Sequence, residues 1–590
     1  MAVKVTHAPS LEGQTRVAVA LEQKNKILSV LAASQIASEK FQAITSGNTA
    51  AIDIFYNSLV LAATSKAEVD KLFVEWWRSQ YKEGETSRVE LLERWFGNVL
   101  DDSKIHGVKL PLFGTSNTAI GELTDDSVGL VCVPSTEATA GRDDFAHLPQ
   151  FWCLEVSAEK ATDGSHTIYS VEHIDDIDTV RSGEHLCWVL QKNTWTTEYD
   201  ENGYRILKTR CHQATGWNQW PQGEDRTGTI HAYIGNPKYA AGLDSNGVIT
   251  CGTNLAPVNY TSHTASVQKW RQRGSQYSGA SGNLPKFLLR MMWLKYARKG
   301  NSGTIEGCSS YNYQYAAAVS ETDVKRVILT VAQGNNLFVG SSVNIGVKDT
   351  THDSIDRGYA SMYSYAKNAR ISAITDITID GTSYKAVYVD VNTAFDTGAG
   401  ETYISTMPYW SGWNDSVQGT DGSRYNYTNG KETGLLQKIE FQNGMYLIAS
   451  DELWQWGKDE DDNFTFDCYT CHDQSKVTTG GNISSDYTKQ GDLTMTFPST
   501  QGNGWIYIED TAISEDPAVL WPKAVSSSAG SGTGVKAAFY ANPASSGVRA
   551  AWLVAGLDGG GICGLACRAS SVSVGNADWG GGPGSPGLAG

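Results

Sequence analysis

A change of texture near Val108 constrains this 590-residue chain more than any other feature. Before it, the glycine-free run from Gln14 to Ser46 places Val17, Leu21, Leu28 and Leu31 at spacings of four, seven and three. That periodicity predicts a long helix. Two further helical patterns follow, Lys66–Tyr81 with Trp76 and Trp77, and Ser87–Leu100 with Leu91, Leu92, Trp95 and Phe96. Residues 1–107 are therefore expected to form a helical N-terminal domain. It could be a small bundle or an oligomerising or docking element, and the residues leave both open.

After Val108 the pattern becomes short apolar runs divided by Gly, Asn, Asp and Ser, as in Val128–Val133, Phe151–Val156, His185–Leu190 and Thr229–Ile234. Such runs read as strands. One helix, Pro285–Ala297, interrupts them. The block Asp323–Tyr409 alternates strongly (VKRVILTV, NLFVG, ARISAITDITI, KAVYVDV) and predicts a small β-barrel or sandwich. An aromatic-rich pattern resumes over Gly434–Gln455. With 60 glycines and 18 tryptophans, turns and aromatic anchors favour strands over helices in this larger part. The expected class is a multidomain α+β protein.

A net charge of −17 argues against nucleic acid, whose phosphates need clustered Lys and Arg. No apolar run reaches the roughly 18 residues of a membrane span, so no membrane insertion is expected. The N-terminal stretch MAVKVTHAPSLEGQ lacks the apolar core of a secretory signal. The ten cysteines are accordingly expected to be reduced and packed.

Candidate chemistry is sparse. Cys468-Tyr-Thr-Cys471-His472 fits the spacing for covalent haem attachment, but five residues match easily and structural thiols are the better reading. Gly530–Lys536 lacks the Gly-Lys-Ser/Thr of a phosphate loop. His173 with Asp175, Asp176 and Asp178, and the run Asp459–Asp462, read as solvated acidic loops. No histidine pair has zinc spacing, and no Gly-x-Ser-x-Gly elbow occurs. No catalytic residue, metal ligand or cofactor is assigned; calcium is left open.

The tail Leu553–Gly590 has neither core nor catalysts. Twelve of its 38 residues are glycine, and Lys, Glu, Gln, Met, His, Phe and Tyr are absent. Single large residues, Leu557, Leu565 and Trp579, together with Trp552 just before it, stand among small ones. The pattern predicts backbone held at a few points with tolerant side chains between, as in binding loops on a rigid scaffold.

Several segments resemble the C-type-lectin fold as it occurs in formylglycine-generating-enzyme-like domains. FLLRMMWLKYARKG (Phe287–Gly300) is similar to that family's helix ending in W-x-Y-A-x-x-G. Gly434–Trp456 is similar to its GLxDMxGNVWEW stretch, with Asn443, Gly444, Tyr446, Asp451 and Trp454 as counterparts. Val548–Leu565 falls where the family's terminal strands lie. More narrowly, the chain resembles variable proteins of diversity-generating retroelements, particularly receptor-binding tail proteins of bacteriophages. The motifs are Arg273–Ser281, Lys295–Gln314, Thr322–Ser341 and the C-terminal pattern through Leu565 and Trp579.

The resemblance implies a lectin-like domain in two parts, residues 108–322 and 411–590, interrupted by a β module at 323–410, with a variable region at 553–590. It implies adenine-directed diversification, from which Lys, Glu, Gln, Met and Trp cannot arise out of Asn codons. The positions expected to vary and to contact ligand are Gly556, Asp558, Gly559, Ile562, Ala569, Ser571, Val572, Asn576, Asp578 and Gly580. All ten hold permitted residues. Trp552, Leu557, Leu565 and Trp579 are expected as scaffold.

By the same resemblance the protein would be a homotrimer in a virion tail, assembled in the host cytoplasm. It would dock on other tail proteins and bind a host bacterial surface protein or glycan. A virion decoration protein is the alternative; a sulfatase-modifying oxygenase using Cys563 and Cys567 is a third reading.

Overall fold

The computed structural model describes residues 48–112, 120–347, 360–480, 482–514, 519–526 and 537–554, with parts of 34–42 and isolated stretches at 516, 535, 556–557, 565–570 and 581–583. It is a large α+β protein whose sheets are mostly antiparallel, with several helices near the N-terminus. The helix expected from Gln14 lies largely outside the described residues.

Three helices open the described chain, Thr49–Ala62, Lys66–Gln80 and Arg88–Arg94. Each begins at a side-chain cap: Asn48, Ser65 and Ser87 accept hydrogen bonds from first-turn amides that have no intrahelical partner. The third pattern was expected to run as one helix to Leu100. Instead it changes to a π turn over Trp95–Val99, which turns Trp95 and Phe96 inward.

Those helices share a core with strands. Phe73, Trp76, Trp77 and Trp95 pack with Trp152 and with a four-stranded sheet ordered Tyr233–Pro237, Leu186–Lys192, Cys153–Lys160, His166–Val171. The Trp152 Nε1 donates to Asp70 at 2.8 Å, tying sheet to helix. Asp53 is buried beneath, accepting from Trp76 Nε1, Arg94 and Asn98, so its charge is fully compensated.

A second core lies between a five-stranded sheet (Asn218–Gln219, Trp195–Glu201, Tyr204–Arg210, Ile105–Pro111, Glu122–Asp125) and a nine-stranded sheet. The helix Asn283–Tyr296 runs through it and buries nearly every side chain. It carries Lys286 and Arg290 inside because Glu198 meets both, at 3.3 and 2.8 Å. Burial opposes ionisation of Glu198, but Lys286, Arg290 and Arg205 hold its carboxyl far below the usual range.

A third core fills a six-stranded sheet ordered Gln314–Ala316, Thr402–Met407, Ser342–Val347, Ala366–Ile379, Thr382–Val389, Arg326–Thr330. The Ala318 amide donates to the Ile328 carbonyl and so links the first edge to the last. Two expected strands differ here and upstream. NLFVG forms a turn after the short helix Val331–Gly334, whose capping box joins Thr330 and Gln333. Val128–Val133 is a turn except for Cys132–Val133, and Val128 is 70% exposed. Local apolar content there serves turns: Leu337 packs into the third core, while only the Gly340 backbone, at the end of its run, bonds to a strand, through Ile371.

Candidate functional site

The C-terminal segment enters the nine-stranded sheet at its centre. The strand Gly547–Leu553 pairs with Tyr446–Lys458 on one side and with Arg568–Ser570 on the other; Arg568–Ser570 also runs parallel to Ala537–Ala541. Gly581–Pro583 lies parallel to Tyr446–Ile448. Alternation along Gly547–Leu553 sends Ala551 and Leu553 into the main core. It turns Ala550 and Trp552 to the opposite face, where Tyr446, Trp505 and Tyr540 pack around them.

Three segments from elsewhere hold this tail by its backbone. The Leu557 amide donates to the Gly444 carbonyl, and the Leu557 carbonyl accepts from the Tyr311 amide, both at 3.0 Å. The Leu565 amide donates to the buried Asn301 Oδ1 at 3.0 Å. Val554 closes back on the Cys567 carbonyl at 3.1 Å.

Asn301 can serve Leu565 because its amide group is fixed from the other side. Its Nδ2 donates to the Ile305 carbonyl at 2.9 Å and to Gln442 Oε1 at 2.8 Å. Gly444 has a left-handed φ of 99°, and a Cβ there would come within 3.2 Å of both Cys308 Sγ and the Leu557 Cβ. Glycine is required for the strand and tail to approach this closely. Gly444 and Gly556 form a parallel bridge at the same point.

The motif segments build the platform under these contacts. Arg273 forms an ion pair with Glu159, which also accepts from the Tyr277 hydroxyl at 2.6 Å. Ser278 meets Ser450 at 2.9 Å, and Ala280 bridges Ala449. There the strand Tyr446–Lys458 bulges between Ile448 and Leu453. The bulge turns Asp451 onto the Gly282 amide at 2.8 Å and Glu452 onto Trp454 Nε1 at 2.7 Å. The helix that starts at Asn283 is thereby set against the strand that pairs with the tail.

Of the expected variable positions, Gly556 is buried beside Gly444, and Ala569 lies in the strand Arg568–Ser570 opposite Trp552 and Tyr540. Asp558, Gly559, Ile562, Ser571, Val572, Asn576, Asp578 and Gly580 lie outside the described residues, as does Trp579. Among the expected scaffold residues, Leu557 sits in the core of the six-stranded sheet and Leu565 in the main core. Asn301 and Gln442 were not expected. A lone Asn between Gly300 and Gly303 was the available signal, and nothing local marked it as buried.

The other sequence candidates resolve into structural roles. Cys468 faces the main core and Cys471 a separate small cluster, while His472 pairs with Asp516 at 2.6 Å. The two thiols and the imidazole therefore do not converge. Of the nine described cysteines, all but Cys132 are buried. Cys563 lies outside the described residues; Cys567 packs in the main core. Asp175 joins Arg88 at 2.5 Å, and Asp459 caps its own turn through the Asp461 and Asn463 amides. Gly530–Lys536 lies outside the described residues except at Val535.

Two buried charge clusters remain. Cys132, Asp143 and Asp421 come close enough to share a cation, but the Lys295 ammonium already sits 2.7 Å from Asp143 and 2.5 Å from Asp421. Around Glu155, Arg181 lies at 2.6 Å, Lys238 at 3.2 Å and Lys438 at 3.4 Å, lining a cavity of about 280 Å³ with Glu172 and Asp415. Burial opposes ionisation of Glu155, yet Lys238, Lys438 and Arg181 hold its carboxyl well below the usual range. Glu440 behaves oppositely: burial and then Asp415 push it up to about 8. The void beside it holds about 20 Å³, room for roughly one water.

No protein-family model matches the chain, and no curated protein matches it.

Proposed function

We propose that this protein is a receptor-binding display protein of a bacteriophage tail or fibre, with a C-type-lectin-like scaffold that carries a retroelement-diversified surface at residues 553–590. The observation that carries the reading is the way the tail is held. Leu557 and Leu565 are fixed by backbone hydrogen bonds to Gly444, Tyr311 and Asn301. Bonds of that kind do not depend on the side chains between them. A surface so anchored tolerates many sequences at one fold, which is what a diversified ligand face requires.

The pins fall on segments that carry the two resemblances, to the variable-protein family and to the formylglycine-generating-enzyme-like lectin fold. Asn301 and Tyr311 belong to Lys295–Gln314, and Gly444 to the Asn443-Gly444 counterpart. In this reading the protein is a trimer, its N-terminal region docks on other tail proteins, and its variable face meets a host surface protein or glycan. Weak individual sites would then gain from acting several at a time on one particle.

The decisive experiment reads the DNA beside the coding region. A reverse transcriptase next to a near-copy of the 3′ end, differing only at adenines, is the expected result. Flanking sequence without either would remove the diversification reading. Replacing Asp558, Ser571 and Asn576 together should change adsorption while leaving folding and assembly intact. Loss of soluble protein instead would assign those residues to structure and favour a decoration protein.

A further inference from the structure

The six-stranded sheet carries a groove of about 390 Å³ that the display function does not use. It lies where three connections meet: the start of the strand Ala366–Ile379, the turn after Thr382–Val389, and the segment following Thr402–Met407. Tyr365, Asn368, Asp390, Asn392, Thr393 and Trp410 line it. That volume is within the range of small-ligand sites, roughly 300–1,000 Å³.

Its aromatic surfaces are held rigid from behind. Tyr365 stacks on Phe395 with ring centroids 5.5 Å apart and planes 7° apart. Phe395 is buried while Tyr365 stays 39% exposed, which leaves the other tyrosine face toward the groove. Trp410 is clamped by its Nε1 bond to the Asn368 carbonyl at 2.9 Å and by the Arg370 guanidinium 4.4 Å from its ring centroid.

The backbone is bent to make this arrangement. The pairing of Ser342–Val347 with Ala366–Ile379 shifts register so that Lys367 and Asn368 stand opposite Asn344 alone. Asn368 takes a left-handed φ of 49°, and its amide donates to the Asn344 side chain at 2.8 Å. Such bulges re-aim side chains, and here the bulge lies at the start of the central strand Ala366–Ile379, where that strand lines the groove.

The rim carries one ammonium, Lys367, and one carboxylate, Asp390, among neutral amide and hydroxyl groups. The Lys367 ammonium lies over the Tyr260 and Tyr363 rings, at 4.8 and 5.2 Å. The exposed Asn392 and Thr393 offer an amide and a hydroxyl, and Asp390 a carboxylate. Flat aromatic faces attract the weakly positive C–H face of a pyranose ring, because the π-cloud face is negative. Neighbouring amide, hydroxyl and carboxylate groups then match the ring's hydroxyls in both donor and acceptor sense.

We infer that this groove binds a neutral saccharide, as a second recognition site separate from the C-terminal face. The ring stacks on Tyr365 or Trp410, and its hydroxyls bond to Asn392, Thr393 and Asp390. The site does not depend on the display reading.

Titration of the full-length protein with maltopentaose, mannopentaose, chitotetraose and, as an acidic comparison, hyaluronan tetrasaccharide tests it, followed by saturation-transfer NMR and tryptophan fluorescence. At least one neutral oligosaccharide should bind in the millimolar range or tighter. Asn392→Ala with Thr393→Ala should weaken that binding at least fivefold, and Tyr365→Ala at least tenfold. Asp558→Ala should leave it unchanged. Absence of binding by all three neutral probes at 20 mM would overturn the inference. So would binding that survives both groove variants, or binding by hyaluronan alone. The Asn392/Thr393 pair is exposed, so it keeps the test valid if Tyr365→Ala disturbs the sheet.

Discussion

Asn301 and Leu565 are 264 positions apart in sequence, and the side-chain oxygen of the first accepts the backbone amide of the second at 3.0 Å. This bond joins the loop after the central helix to the C-terminal segment, and Gln442 and Ile305 hold the asparagine in place. Replacing Asn301 by Ala removes the acceptor of the Leu565 amide and a donor to the Ile305 carbonyl inside the core. Unmet buried polar groups cost about 1–3 kcal/mol each. Asn301→Ala should therefore lower the unfolding midpoint, and amide exchange at Leu565 should accelerate more than exchange within Asn283–Tyr296. Equal acceleration in both places would mean the pin is not local.

Anchors and tolerant positions should separate cleanly in stability. Leu565 is buried in the main core, so Leu565→Ala should cost about 2–5 kcal/mol through lost contacts and a cavity. Ser571→Ala, at an expected variable position, should stay within about 0.5 kcal/mol. Denaturant titrations of the two variants check this, and similar losses in both would count against a tail held only at its anchors.

Lys295 neutralises two carboxylates, Asp143 and Asp421. Removing it as Lys295→Met takes the counter-charge from the buried Asp421 and the half-buried Asp143, which should destabilise the protein by about 3–5 kcal/mol. Adding Asp143→Asn to that variant should recover part of the loss. A double variant as unstable as the single one would show that packing of the lysine stem, and not its charge, is what matters.

His166 and His231 face each other with ring centroids 5.2 Å apart and shift in opposite directions. Burial, followed by the charge of His231, pushes His166 down to about 4. The Glu93 hydrogen bond leads the causes that raise His231 above its ordinary value. For His166 the unfolded chain holds more protons between about 6.5 and about 4. Its contribution to stability is therefore complete above pH 6.5 and fades as pH falls through that window. For His231 the sign reverses: the contribution is complete below about 6.5 and is lost as pH rises through its raised pKa. Imidazole proton shifts should titrate in that order. In denaturant series between pH 4 and 8, His166→Gln should flatten the acid side and His231→Gln the alkaline side.

How much of this was legible in the chain depended on the range of the interaction. The helices Lys66–Gln80 and Asn283–Tyr296 were readable within a residue or two, because a helix is set by neighbours three and four positions away. The alternation over Arg326–Thr330, Ala366–Ile379 and Thr382–Val389 announced strands for the same reason. NLFVG and Val128–Val131 misled, since an apolar run becomes a strand only when its backbone pairs along another strand, and that pairing is not encoded locally.

The sequence by itself determined the α+β class and the switch from helices to strands, because apolar spacing and turn chemistry act over a few residues; it also marked Leu557 and Leu565 as large residues among small ones. Only the tertiary structure decided what those anchors hold on to. Asn301, Gly444 and Tyr311 come from distant segments, and their meeting with the tail follows from how three cores pack together. The groove at Tyr365 and Trp410 has the same origin: a bulge opposite Asn344 and a stack on Phe395 bring together side chains that no local pattern connects.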